Sequence, residues 1–191
     1  MQLYALCDQT TLDNKKISLE RFVELCTQHD ARIIQYRNKS RDLDFITQQL
    51  LKLRQLWPKT LIVNDAFSLH SFCDGVHLGQ DDLLKVDKNP KTAVEKIRNS
   101  IGREKLIGLS THNQEEIEIA NSLDLDYIGL GAYRATSTKE DAAPLQERLD
   151  DLAALSRHPV AAIGGVRFDD TFENVTYHVI SSALYETKNE E

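Results

Sequence analysis

Eight short apolar runs separated by amphipathic stretches predict a (β/α)8 barrel for this chain of 191 residues. Three observations carry that expectation. The runs are nearly continuous in apolar residues rather than alternating, as befits strands covered on both faces of a parallel sheet. The intervening stretches carry helix-starting and helix-stopping residues. Eight such repeats suffice for closure. The length lies just under the usual range for the fold, so some helices, chiefly toward the C-terminus, must be trimmed. An open doubly wound sheet is the alternative. It usually places a glycine-rich loop after its first strand, and "LYALCDQTTLD" has no glycine.

The runs cover residues 3–7, 32–36, 60–63, 75–78, 106–109, 127–130, 159–163 and 177–181. "SLERFVELCTQH" opens on Ser18 and places Phe22, Val23 and Cys26 on one helical face. "DLDFITQQLLKLRQLW" repeats the pattern until Pro58 stops it. "NPKTAVEKIRNSIG" has a cap in Asn89, Pro90 at its first turn and a stop in Gly102. "NQEEIEIANSL" and "LQERLDDLAALSR" complete the clear helices, and the connections after strands three, seven and eight hold a turn or two at most. One barrel domain over 1–185 and a polar tail over 186–191 follow.

The net charge of -7 and the lack of a basic stripe argue against a nucleic-acid partner. No run approaches the roughly 20 apolar residues that cross a bilayer. The first residues do not read as a secretory leader, which makes the cytoplasm the expected compartment. Cys7, Cys26 and Cys73 are odd in number and widely spaced. They read as buried, unpaired thiols.

Active sites of this fold lie at the C-terminal strand ends. Those ends supply Asp8; Gln35, Arg37 and Lys39; Asn64 and Asp65; Gln80 and Asp82; Ser110, Thr111 and His112; Thr136, Thr138 and Lys139; Gly164 and Gly165; and Ser181 and Ser182. Gln35, Arg37 and Lys39 are two apart, so a continuing strand turns all three to one side, where two cations and an amide suit a polyphosphate. "GVHLGQDDL" ends an apolar strand in adjacent acids. Asp65 and Asp82 belong to neighbouring strands, and two such carboxylates repel unless a cation intervenes. Mg²⁺ fits, because it takes one or two carboxylates plus waters and substrate phosphates. Asp81 caps the following helix or faces solvent. The Gly164-Gly165 pair lets backbone approach a ligand closely, at the strand ends where such barrels often hold phosphate. With Mg²⁺ bound, Arg37, Lys39 and Lys139 against Asp65 and Asp82 leave the mouth positive enough for a pyrophosphate.

"IQYRNK", "IVND", "DGVHLGQDD", "GLSTH", "YIGLGAYRATSTK" and "PVAAIGG" occur in that order, and together they resemble the thiamine phosphate synthase family over nearly the whole chain. The resemblance implies a (β/α)8 barrel that joins hydroxymethylpyrimidine pyrophosphate to hydroxyethylthiazole phosphate, with release of pyrophosphate. It implies that Asp65 and Asp82 hold Mg²⁺, and that Arg37, Lys39, Asn64, Ser110 and Lys139 bind pyrophosphate. Gln35 and His77 would lie near the pyrimidine. Thr136, Thr138, Gly165 and Ser182 would face the thiazole phosphate. The implied chemistry is dissociative. The partners are then small molecules, and a homo-oligomer is compatible with the chain. The sequence departs from the family pattern at Ala66, at Ala132-Tyr133-Arg134-Ala135, and in the short approach to strand eight, mostly on the thiazole-phosphate side. Two alternatives share the fold: a thiazole tautomerase using His112 as proton carrier, and a catalytically weak barrel that binds thiamine precursors.

Overall fold

The computed structural model describes residues 2–39, 42–135 and 144–186. Eight parallel strands close into a barrel in sequence order, with β8 pairing back onto β1. They are β1 (Gln2–Asp8), β2 (Ile33–Arg37), β3 (Thr60–Asn64), β4 (Gly75–Leu78), β5 (Leu106–Thr111), β6 (Tyr127–Leu130), β7 (Val160–Ala162) and β8 (Tyr177–Ile180). The helices outside are α1 (Gln9–Lys15), α2 (Leu19–Gln28), α3 (Leu43–Leu56), α4 (Gln80–Val86), α5 (Pro90–Ile101), α6 (Gln114–Ala120) and α7 (Arg148–Ala153). Single stretches of 3-10 helix follow β3 (Phe67–Phe72) and β8 (Ser182–Tyr185), matching the short connections expected there.

The helix starts follow from side-chain caps. Ser18, Asp42, Asn89 and Asn113 each accept a backbone N–H from the first turn behind them. Two helices were not anticipated. Asp8 caps α1 immediately after β1, and α4 begins immediately after β4 at Gly79. Asp81 and Asp82 therefore lie inside the first turn of α4, where acids favour the helix dipole. Asp81 does not cap it.

Two cores result. One lies between sheet and helices. The other fills the barrel with Tyr4, Leu6, Ile33, Ile62, Tyr127, Ala161 and Val179. Inward positions alternate with outward ones, as the pleat requires. Gly108 makes room for an aromatic floor, since a Cβ there would stand 2.2 Å from the Tyr127 ring. The rings of Tyr4, Tyr127 and Tyr177 meet edge-on around that space.

The opposite, N-terminal face is tied by polar joints. Asp74, just ahead of β4, accepts the Leu61 N–H at 2.8 Å and the Arg54 guanidinium at 2.6 Å, while Arg54 also donates to the Lys59 carbonyl. Asp126, just ahead of β6, accepts the Ile107 N–H at 2.7 Å and the Arg98 guanidinium at 2.8 Å, while Arg98 also donates to the Lys105 carbonyl. Cys7, Cys26 and Cys73 are buried free thiols, as expected.

Candidate active site

A cavity of about 420 Å³ opens at the C-terminal mouth of the barrel. Small-molecule sites typically span about 300–1,000 Å³. Gln35, Arg37, Asn64, His77, Ser110, Gly165 and Ser182 all line it, so seven of the expected residues converge on one space. Lys39, Asp65 and Asp82 lie outside its lining. Thr136, Thr138 and Lys139 fall outside the described residues. The expected three-residue row on the second strand is corrected to two, because β2 ends at Arg37 and Lys39 lies beyond the sheet.

Under the cavity runs a chain of hydrogen bonds. Gln35 Nε2 donates to the Tyr4 hydroxyl at 2.6 Å, the Tyr4 and Tyr127 hydroxyls are 2.9 Å apart, and Tyr127 reaches His77 Nδ1 at 3.0 Å. His77 Nε2 lies 3.0 Å from Ser110 Oγ. Burial pushes both phenols well above the ordinary tyrosine range, so each keeps its proton and has one to give. With the Gln35 amide nitrogen toward Tyr4, Tyr4 gives to Tyr127, which gives to Nδ1 of His77. The histidine then carries its proton on Nε2 and donates to Ser110, whose own proton is left for a ligand. At the other end Gln35 keeps its amide oxygen as an acceptor. The chain thus presents an acceptor at β2 and a donor at β5.

Arg37 is held by an acid that the sequence reading placed at a strand end without a role. Asp8 Oδ2 receives Arg37 Nη1 at 2.6 Å, and Oδ1 takes the Thr11 N–H at 3.0 Å. Asp8 is 3% exposed and Arg37 16%, so the pair is largely shielded from solvent and the guanidinium is held in one place. Its remaining N–H groups are available to an anion.

The expectation of two strand-end acids is corrected for one of them: Asp65 directly follows β3, but Asp82 lies in the first turn of α4, because the helix starts two residues after β4. The Asp65 N–H bonds the His77 carbonyl at 2.8 Å, which sets the end of β3 against the end of β4. Asp65 takes a left-handed backbone with φ of 61°, a conformation that aspartate adopts more readily than most residues. Asp82 folds back over β4, where a Cβ on Gly79 would stand 3.3 Å from Oδ2. Its Oδ1 meets Lys85 at 2.7 Å. Among the described residues no group of three or more His, Cys, Asp or Glu could hold a metal alone. An acid just after β3 and one in the helix turn that follows β4, with water and substrate oxygens, offer the hard oxygen donors that Mg²⁺ takes.

His112 also lines the cavity. Glu116 Oε2 meets its Nδ1 at 2.9 Å and its backbone N–H at 2.9 Å, which orients the ring.

The far side of the cavity is built from backbone. Gly164 and Gly165 have φ of 88° and 72°, a left-handed pair open to glycine at little cost. Arg134 and Arg167 line the cavity beside them, and Ser181 and Ser182 face it from the end of β8.

Sequence reasoning missed Tyr4, Tyr127, Arg134 and the support from Asp8. The signal for the tyrosines was present in strand parity, since Tyr4 and Tyr127 occupy inward positions two or more steps below the mouth. Nothing local pointed to Arg134, whose partner lies far along the chain.

Comparison with known proteins agrees with this geometry. The family model described as thiamine monophosphate synthase matches residues 3–186. The thiamine-phosphate synthase of Persephonella marina is 38% identical over 172 residues, covering 87% of this chain and 77% of the relative. That of Lawsonia intracellularis is 36% identical over 189 residues, covering 95% and 82%. The solved thiamine phosphate pyrophosphorylase of Pyrococcus furiosus superposes with a TM-score of 0.75 at 25% identity, covering 95% of this chain and 86% of that one. The chain therefore belongs to the thiamine monophosphate synthase family.

Proposed function

We propose that the protein is a transferase that condenses hydroxymethylpyrimidine pyrophosphate with hydroxyethylthiazole phosphate to thiamine phosphate and releases pyrophosphate. The observation that carries the reading is one cavity with two unlike polar ends. Arg37 with polar side chains from β2 to β5 stands at one, and glycine backbone with Ser182, Arg134 and Arg167 at the other.

Arg37, Lys39, Asn64, Ser110 and Lys139 bind the pyrophosphate. Asp65 and Asp82 would hold a Mg²⁺, which supplies charge neutralisation for the leaving group. The Gln35 oxygen accepts from the pyrimidine ring amino group and so favours electron release into the ring. As the carbon–oxygen bond breaks, its electron pair leaves with the pyrophosphate, and the Ser110 hydroxyl donates to the charge that develops there. The methylene cation left behind is stabilised by the ring amino group. Leu6, Ile163 and Val179 line the waist between the two ends and keep water from that cation. Thr136, Thr138, Gly165 and Ser182 seat the thiazole phosphate, so that the thiazole nitrogen attacks the cation and forms the new carbon–nitrogen bond. No strong base is needed at any step.

The deciding experiment incubates the protein with both precursors and Mg²⁺, and detects thiamine phosphate with and without chelator. Chelator-sensitive product is expected. The oriented His112–Glu116 pair favours one second reading, a thiazole tautomerase. Isomerised thiazole phosphate without thiamine phosphate would establish it and end the synthase reading.

A further inference from the structure

The loop after β6 and the loop after β7 are zipped together by Tyr133 and Arg134. The Tyr133 N–H donates to the Ile163 carbonyl and the Arg134 N–H to the Gly164 carbonyl, each at 2.8 Å. The Arg134 side chain then takes the next carbonyl, with Nη1 2.6 Å from that of Gly165. The same guanidinium forks onto Asp170, Nη1 to Oδ2 and Nη2 to Oδ1, both at 2.6 Å. Asp170 is 9% exposed and also accepts the Arg167 N–H at 2.8 Å, which closes the turn. Tyr133 packs under the guanidinium, 4.4 Å from ring centroid to Cζ.

This arrangement has a directional effect. Three consecutive carbonyls, those of Ile163, Gly164 and Gly165, are committed to the β6 loop. What the Gly164–Val166 backbone can offer a ligand in the cavity is therefore amide N–H. Left-handed glycines with neighbouring amides on one side form an anion-binding concavity. Arg134 lines the same cavity, so it contributes both the brace and a nearby positive charge.

We infer that Arg134 is a positioning residue for the phosphate of the thiazole substrate, acting by holding the Gly164–Val166 amides in place through Asp170. The inference rests on the synthase reading for the identity of that phosphate. It assigns a function to the segment where the chain departs from the family pattern. A fork of this shape needs arginine, because a lysine carries the charge without the paired donors.

The test measures KM for each precursor and direct calorimetric binding of hydroxyethylthiazole phosphate. It compares the wild type, Arg134→Lys, Asp170→Asn and the double variant, each checked for folding by circular dichroism. Losing a charge-assisted bond of this kind corresponds to about a ten- to hundredfold change. A rise of that size is expected in KM for the thiazole phosphate with Arg134→Lys and with Asp170→Asn. KM for the pyrimidine pyrophosphate should stay within about twofold. The double variant should lose little more than either single one, as members of one unit do. Full activity in Arg134→Lys would overturn the brace, and so would equal rises in both KM values or additive losses. Wild-type protein that makes no thiamine phosphate would overturn the synthase reading. Loss of thiazole-phosphate binding in Arg134→Lys of such a protein would still support the assignment of Arg134.

Discussion

The two ends of the cavity are built by different means. At the β2–β5 end the polar groups are side chains rooted in strands, and Gln35, His77 and Ser110 are joined through buried hydroxyls into one chain. At the β6–β8 end the polar groups are glycine amides on loops, and their orientation depends on a clamp from Arg134 and Asp170. A strand-borne site is precise because the sheet places it. A loop-borne site needs a brace, and different side chains can serve as one.

The largest difference between the ends should follow from losing the acid in the first turn of α4. Asp82→Ala is expected to abolish Mg²⁺-dependent turnover while the melting temperature changes little, because Asp82 is a rim residue that adds no core burial. Titrating Mg²⁺ into the variant checks this, and an unchanged rate would remove Asp82 from the metal.

A smaller effect isolates the hydrogen-bond chain. Tyr127→Phe removes the buried hydroxyl that joins Tyr4 to His77 Nδ1. Stranding buried groups in this way costs about 1–3 kcal/mol. Urea unfolding should register that loss, and kcat should fall because Ser110 is no longer oriented as a donor. Unchanged kcat at reduced stability would demote the chain to a mere floor.

The smallest effect belongs to the loop end and to acid. The hydrogen bond from Arg134 holds the Asp170 carboxyl below the usual carboxylate range. A depressed carboxyl stabilises the fold fully above its unfolded value of about 3.9, and the contribution is lost as pH falls through the lower folded value. Asp170→Asn should therefore flatten the acid limb of the stability profile below about pH 4 and leave the neutral region nearly parallel to wild type. Melting temperatures from pH 2.5 to 7 would show it.

The barrel was legible because strand burial and helix caps are local signals. The strands at 75–78 and 127–130 match the observed β4 and β6 residue for residue. α1 and α4 escaped because each starts within one or two residues of a strand end, so the acids that begin them read as strand termini. Within the site, position at the strand ends identified Gln35, Arg37, Asn64 and Ser110, and the family resemblance added His77. Neither could reach Arg134, whose meaning depends on Asp170 across a loop. Nor could position separate Asp8 as a support from Asp8 as a ligand, since both roles call for a carboxylate at the same place.

The joints on the N-terminal face have a consequence for how such a barrel is put together. Arg54 with Lys59, Leu61 and Asp74, and Arg98 with Lys105, Ile107 and Asp126, make the same set of bonds two strands apart. In each, an arginine from a helix seals the carbonyl just before one strand, and an acid just before the next strand takes that first strand's leading amide. The barrel thus reads as tiled, with a module of two strands used at least twice and locked from below. Such a lock sets the offset between neighbouring strands independently of what happens at the mouth. The rim can then carry short connections and varied loops, and the tiles beneath it stay in register.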